Sequence, residues 1–146
     1  MNKHPLRQFK ESPGATSDSL KILLADDVVF SSPIFSREVT GKELVAEVML
    51  TSTSVRDGHF THEFRQGNET VLIWEGIIGG HKLVSFELIV NDARGRIKYR
   101  SVAFKPHPVT ELFRAAMYDK LKDIIPEDMW ALQPLSRQDE GLDREF

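Results

Sequence analysis

Two residues of opposite charge, Glu87 and Arg100, form the pair best suited to chemistry. They lie in two runs rich in β-branched and aromatic residues, separated by the turn sequence DARG at 92–95. A four-residue turn there predicts a hairpin in which Glu87 lies directly opposite Arg100. Such a pair could orient a polar ligand group, or Glu87 could act as a general base while Arg100 stabilises an oxyanion. The alternative is a salt bridge that only fixes the register of the two strands.

Histidines offer a second set of candidates. In the predicted strand at 59–66, alternation places Phe60, His62 and Phe64 on one face, so His62 could serve as a base inside a pocket. A hydrogen-bonded structural histidine is the alternative. His59 points to the opposite face, so the two histidines cannot share a metal ion. We therefore predict no metal site.

Composition limits the classes of function. The chain has 146 residues, enough for one domain with a core, and its net charge of −3 argues against nucleic acid as a partner. It has no cysteine, which excludes disulfides and thiolate zinc sites. No apolar run has the length of a membrane span, and the N-terminus lacks the pattern of a signal peptide. Gly79-Gly80 lacks the spacing of a phosphate loop. We expect a cytoplasmic protein with no cofactor and no membrane partner.

The remaining elements must position these side chains. Helical signals flank a three-stranded meander at 69–106. Thr40 and Glu43 have the spacing of a capping box, and the carboxylates of Asp26 and Asp27 are interpreted as the end of one helix and the start of a strand. We expect an α+β domain at 1–126 and a polar tail at 127–146. The predicted helices are 5–11, 18–25, 41–52 and 110–125, and the predicted strands outside the meander are 28–30 and 59–66.

A family resemblance emerges from five short motifs. The run LADDVVFSSP at 24–33 is similar to the helix-to-strand signature of the nuclear transport factor 2-like superfamily, and most closely to its SnoaL-like branch of small bacterial proteins. Matches at 41–43, 79–80, 95–97 and 104–106 follow in the right order, and the resemblance covers roughly 18–121. It implies a cone in which a curved, mixed or antiparallel sheet packs against N-terminal helices and a C-terminal helix, often in a dimer. It leaves function open, because the superfamily holds isomerases, dehydratases, hydrolases, cyclases and adaptors.

The two faces of the meander can be assigned in two ways. Composition favours the face of Val71, Ile73 and Phe86 as the core, because that face is more apolar. The resemblance favours the opposite face, and we follow it. The apolar outer face then predicts a homodimer through the sheet. The inner face would bring the candidate catalytic residues Glu87, Arg100 and His62 to a pocket lined by Phe30, Ser32, Phe60, Leu72, Trp74, Ser85, Val102 and Phe104.

The resemblance implies binding of a small apolar or amphipathic molecule, with acid–base activity of isomerase, cyclase, dehydratase or hydrolase type as one option. The alternative is a non-catalytic dimeric interaction module whose pocket is filled by its own side chains. Ketosteroid isomerases need a general-base Asp and an oxyanion hole of Tyr and protonated Asp. By the resemblance these positions fall at Ser32, Gln8 and near Glu87. Two of the three parts are missing, so steroid isomerase chemistry is not expected.

Overall fold

A six-stranded sheet forms the centre of the protein, for which a computed structural model describes residues 2–131. The strands are β1 (Leu24–Ser31), β2 (Val39–Thr40), β3 (Asp57–Gln66), β4 (Glu69–Ile78), β5 (His81–Asn91) and β6 (Ile97–Lys105). The helices are α1 (Pro5–Glu11), α2 (Ser17–Lys21), α3 (Lys42–Val55) and α4 (His107–Leu121), followed by a 3-10 turn at Glu127–Met129. The expected α+β plan is confirmed.

The sheet order is β2-β1-β6-β5-β4-β3, in which β1 runs parallel to β6 and all other neighbours are antiparallel. The predicted meander is therefore β4, β5 and β6. Gly79 and Gly80 both have positive φ, +55° and +81°, which lets a two-residue turn close the first hairpin. That turn sets the predicted register between β4 and β5, in which Trp74 lies opposite Ser85.

The buried face of the sheet is the one that the resemblance favoured. Leu72 and Leu83 on this face are 0% exposed, whereas Ile77 and Phe86 on the other face are 56% and 40% exposed. The composition argument was wrong. It compared only the number of apolar residues on the two faces, whereas the face that is buried is the one that the helices cover. Helices α3 and α4 pack against each other and over this inner face, which encloses the core.

The second hairpin differs from the prediction in register. Glu87 pairs with Val102, and Arg100 pairs with Ile89, so the two charged residues are diagonal neighbours instead of direct partners. A bulge at Lys98 adds one residue to β6 just after the turn. It also turns Ile97 inward, where it is 1% exposed, although strict alternation predicted the outer face for it.

A bulge in β3 places two residues on a different face from the one predicted. Phe60 pairs with Trp74, but His62 pairs with Ile73, so Thr61 is the extra residue. Beyond the bulge the alternation is reversed. Phe60 remains buried on the inner face, whereas His62 and Phe64 are exposed and stack on each other with ring centroids 6.0 Å apart. The predicted shared face for these three residues was therefore wrong.

Helix starts differ from the expected caps. Gly41 caps α3 with φ +92° and no side-chain hydrogen bond, so the expected capping box at Thr40 and Glu43 does not form. Helix α2 instead has a capping box of Thr16 and Ser19. Strand β1 begins at Leu24, which places the exposed Asp26 within the strand, where its carboxylate pairs with Lys42 Nζ at 2.9 Å.

The chain beyond α4 continues to pack against the body. Met129 and Trp130 are buried, and Trp130 forms an isolated bridge with Phe35. The predicted division at 126 therefore falls within packed chain, while residues 132–146 lie outside the described part. In residues 2–131, no helix is both long and apolar enough to cross a membrane.

Candidate functional site

The centre of the site is a buried ion pair. Arg100 Nη2 donates a hydrogen bond to Glu87 Oε2, and the two side chains are 3% and 2% exposed. β5 and β6 place both residues on the inner face, and the Arg100 guanidinium lies 5.0 Å from the centre of the Phe30 ring. Glu87 Oε1 and Arg100 Nε have no hydrogen-bond partner among residues 2–131. The pair thus leaves one acceptor and one donor available.

Glu87 is ionised despite its burial. Desolvation opposes the charged form, but Arg100, Lys10 and Arg56 together outweigh it and hold the pKa of the Glu87 carboxyl below its usual value. The buried Glu87 carboxylate therefore interacts with three cations.

Arg56 is the second cation of the site. It follows the last turn of α3 in extended conformation, and its guanidinium lies 4.4 Å from the Trp74 ring and 5.7 and 5.5 Å from Phe104 and Phe113. Burial, together with the charge of Arg100, lowers the pKa of Arg56 to about 10. Its Nη1 has no hydrogen-bond partner in the described chain. Aromatic rings contact this cation, and no carboxylate of residues 2–131 forms an ion pair with it.

Two glycines create the place for Trp74. Gly58 and Gly76 are paired across β3 and β4, and a Cβ on either one would overlap the Trp74 indole. The indole therefore covers bare backbone on one side and contacts the Arg56 guanidinium on the other. The two glycines therefore allow the flat Trp74 ring to pack closely on the sheet with the Arg56 guanidinium against its other face.

Lys10 enters the site from α1. Its Nζ lies 6.0 Å from the centre of the Phe60 ring, and no carboxylate of residues 2–131 lies within ion-pair distance of it. Burial of the amine, with repulsion from Arg100 and Arg56, lowers the pKa of Lys10 well below its usual value, although the attraction of Glu87 partly offsets this. The surroundings of Lys10 therefore disfavour the charged form of its amine.

Polar contacts hold α1 in place. His4 Nδ1 accepts from the Leu6 backbone N–H at 3.0 Å, so the ring proton is on Nε2, which donates to Asn91 Oδ1 at 2.9 Å. Glu63 accepts from the His4 backbone N–H at 2.9 Å and pairs with Arg7 at 3.3 Å. The bulge at Thr61 is what turns Glu63 toward α1.

A cavity of about 380 Å³ opens beside these groups. Its walls come from the end of α1, the end of α3, and the first half of β3 with its partner β4. They include Lys10, Arg56, Phe60 and Trp74, together with the carboxylates of Glu11 and Asp57. Glu87 and Arg100 are not part of the wall, but they are close enough for their charges to act on both Lys10 and Arg56. A cavity with aromatic walls and a buried cationic cluster is suited to a small molecule.

Comparison with known proteins establishes the fold. No protein-family model matches the chain, and no curated protein matches it. Among solved structures, an uncharacterised bacterial protein with a cystatin-like fold from Silicibacter pomeroyi superposes with a TM-score of 0.75 at 23% identity, covering 83% of this chain and 88% of that one. A steroid delta-isomerase from Pseudomonas aeruginosa gives 0.70 at 24% identity, covering 73% and 80%. An NTF2-like protein of unknown function from Cytophaga hutchinsonii gives 0.55 at 20%, covering 73% and 86%.

The chain has the nuclear transport factor 2-like fold. A putative isomerase of the SnoaL-like family from Agrobacterium tumefaciens also matches, at 12% identity and a TM-score of 0.52, with coverage of 69% and 92%. The resemblance read from the five motifs is confirmed at the level of fold. At these identities the likeness does not extend to activity.

Within this fold, most of the predicted ligand-binding residues reach the inner face. Phe60 and Trp74 line the cavity itself. Others lie deeper or farther along the core: Phe30, Leu72, Ser85 and Val102 are buried, and Ser32 and Phe104 are half-buried. Of the candidate catalytic residues, Glu87 and Arg100 meet in the core and are not part of the cavity wall, whereas His62 is exposed on β3.

The sequence interpretation missed Arg56 and Lys10. Spacing indicates the buried side of each element for both residues, although not that the two meet. Counting back from Phe60 in steps of two reaches Arg56 on the inner side, and one helical turn from the buried Leu6 reaches Lys10. Neither residue belongs to a recognisable motif.

Two positions that the resemblance assigns to parts of a ketosteroid isomerase can be inspected in the described chain. Gln8, at the place expected for the oxyanion Tyr, is exposed and donates to the Lys3 carbonyl at 3.1 Å. Glu87 is held ionised by its cations, so it cannot donate a hydrogen bond as a protonated carboxyl would. In the described chain, no cluster of three or more potential ligands could hold a metal ion.

Proposed function

We propose that the cavity binds a small organic anion with a flat apolar body. The excess of positive charge supports this most directly. Among the groups coupled to Glu87, Lys10, Arg56 and Arg100 face this single carboxylate, so this cluster carries surplus positive charge even when Lys10 is uncharged. Of the two carboxylates on the cavity wall, Glu11 is paired with Lys3 and Arg7, and Asp57 is exposed. Buried charges are costly unless they are paired. A ligand carboxylate or phosphate would supply the missing negative charge.

The polar contact of this ligand would be Arg56. Its Nη1 is buried without a partner and its guanidinium lies against the cavity wall, so it could donate a charge-assisted hydrogen bond to an anion. The flat body would rest against Trp74 and Phe60. A volume of about 380 Å³ suits a molecule of one or two rings.

Catalysis would centre on Glu87. Its carboxylate is ionised and Oε1 is unpartnered within the described chain, as a general base requires. Glu87 is 2% exposed and is not part of the cavity wall, however, so a reacting atom would have to pass the wall residues to reach it. This arrangement favours binding as the proposed function, with proton transfer by Glu87 as its catalytic extension. The alternative, an interaction module, requires a pocket filled by its own side chains, and the open cavity argues against it.

Trp74 provides the test. The chain has two tryptophans, so in a Trp130→Phe background Trp74 is the sole reporter of binding. Benzoate, phenylacetate and phenyl phosphate should quench its fluorescence saturably, whereas benzamide and benzyl alcohol should not. Arg56→Met should weaken anion binding by about tenfold to a hundredfold, the effect of about 1.5–3 kcal/mol expected for one hydrogen bond to a charged group.

Arg37→Gln serves as the matched control, because Arg37 is an exposed arginine paired with Asp128 at 3.1 Å, away from the cavity. It should leave anion binding unchanged. Equal binding of the neutral and charged compounds, or no binding of any anion in the series, would refute the proposal.

A further inference from the structure

Lys10 differs from the other cations of the cavity in one respect. Arg100 is paired with Glu87 and Arg56 is held against aromatic rings, but the Lys10 amine lies at the wall with no carboxylate within ion-pair distance in residues 2–131. Two guanidiniums lie close enough to repel a charge on it. An amine with cationic neighbours and a partly apolar surrounding is one that can act as a nucleophile.

We infer that Lys10 forms an imine with an aldehyde or ketone group of the ligand bound in this cavity. The inference rests on the proposed function and narrows its ligand class to aromatic carboxylates that also carry a carbonyl group. Arg56 would hold the carboxylate, and Lys10 would meet the carbonyl carbon. Both side chains line the same cavity, and the Trp74 and Phe60 rings would enclose the body between them.

The environment favours the uncharged amine that this reaction needs. Burial and repulsion by Arg100 and Arg56 lower the pKa of Lys10, so a larger fraction of the amine is neutral near pH 7 than for an exposed lysine. The nitrogen lone pair then forms a bond to the carbonyl carbon. The C–O bond breaks, and the oxygen leaves as water with both protons of the amine. No oxidant or reductant takes part in this step.

The polar contacts of α1 restrict the position of the Lys10 side chain. His4, Glu63, Arg7 and Asn91 fix the helix at its first two turns. Lys10 is one turn beyond Leu6, which is 0% exposed and anchors the same helix face. An amine on a helix tied at these points has a restricted range of positions.

Reductive trapping tests the inference on the intact protein. The probe is 4-carboxybenzaldehyde with sodium cyanoborohydride at pH 7, which reduces an imine to a stable secondary amine that peptide mass spectrometry can locate. Lys10 should be labelled at least about tenfold faster than the exposed Lys98, because the cavity would hold the aldehyde beside an amine that is neutral more often. Lys10→Arg should remove that adduct and leave labelling of Lys98 unchanged.

The two proposals fail in different ways. Labelling of Lys10 no faster than that of Lys98, while benzoate still quenches Trp74, would overturn the imine and leave anion binding intact. Rapid labelling of Lys10 by both 4-carboxybenzaldehyde and neutral benzaldehyde, with no protection by benzoate, would support the reactive amine and overturn anion recognition. Rapid labelling that benzoate slows is the result expected if both hold.

Discussion

Removing the negative charge of Glu87 should destabilise the protein more than any other conservative change in the sheet. In Glu87→Gln the shape is kept, but Arg100 loses its ion-pair partner, and Lys10 and Arg56 lose the attraction of the buried carboxylate. Breaking a buried pair from one side costs about 3–5 kcal/mol. A typical domain has a free energy of unfolding of about 5–15 kcal/mol, so the variant should still fold.

Urea denaturation followed by circular dichroism measures this loss. Glu75→Gln is the matched control, because Glu75 lies on the outer face of β4 and pairs with Lys82 at 3.1 Å with side chains 35% and 72% exposed. Its substitution should lower the free energy of unfolding by less than about 1 kcal/mol. The double variant Glu87→Gln with Arg100→Gln should lose less than the sum of its two single variants. If Glu87→Gln lowers the free energy of unfolding no more than Glu75→Gln does, the buried charge cluster does not stabilise the fold.

Acid should reduce the difference between wild type and Glu87→Gln. The pKa of Glu87 is lower in the folded chain than in the unfolded one, so the unfolded state binds more protons as the pH falls. The stability that the carboxylate contributes is therefore complete above its unfolded pKa of about 4.3 and is lost as the pH falls through the folded value. A difference that stays constant down to the folded pKa would contradict an ionised Glu87.

Three further changes test other parts of the fold. Gly76→Ala should cost about 1–3 kcal/mol and shift the emission of Trp74, because the new Cβ overlaps the indole. Deleting Thr61 should change the thermal midpoint only slightly, because it removes the extra residue of the bulge and leaves His62 opposite Ile73 on the outer face, and a large loss would show that the bulge itself stabilises β3. We propose that two copies associate through the outer face of the sheet, so Phe86→Glu, at a position 40% exposed in the single chain, should convert a dimer to a monomer in analytical ultracentrifugation.

The sequence predicted the meander and its buried face well, because turn residues and family motifs both constrain them. Gly79 and Gly80 allow one tight turn, and that turn determines every pair between β4 and β5. The errors came from single extra residues. Bulges at Thr61 and Lys98 reverse the alternation on one side of each, and no residue type marks them in advance.

The site was predicted in part. Glu87 and Arg100 were found because opposite charges in neighbouring strands are conspicuous. Arg56 and Lys10 each lie at the end of a helix, where a long cationic side chain is ordinary, and only the packing of α1 and α3 over the sheet brings them to one cavity. That convergence depends on tertiary contacts, which local spacing does not encode.

The attachment of α1 has a consequence for the order of folding. The helix has seven residues, too few to persist alone in water, where isolated helices shorter than about 12–15 residues are marginal. Its partners follow late in the chain, since the contacts of His4 with Glu63 and Asn91 span 59 and 87 residues. During synthesis α1 leaves the ribosome first and docks only after β5 has been made. The sheet can therefore assemble before Lys10 joins the two guanidiniums, and their repulsion of the Lys10 amine arises only when α1 docks.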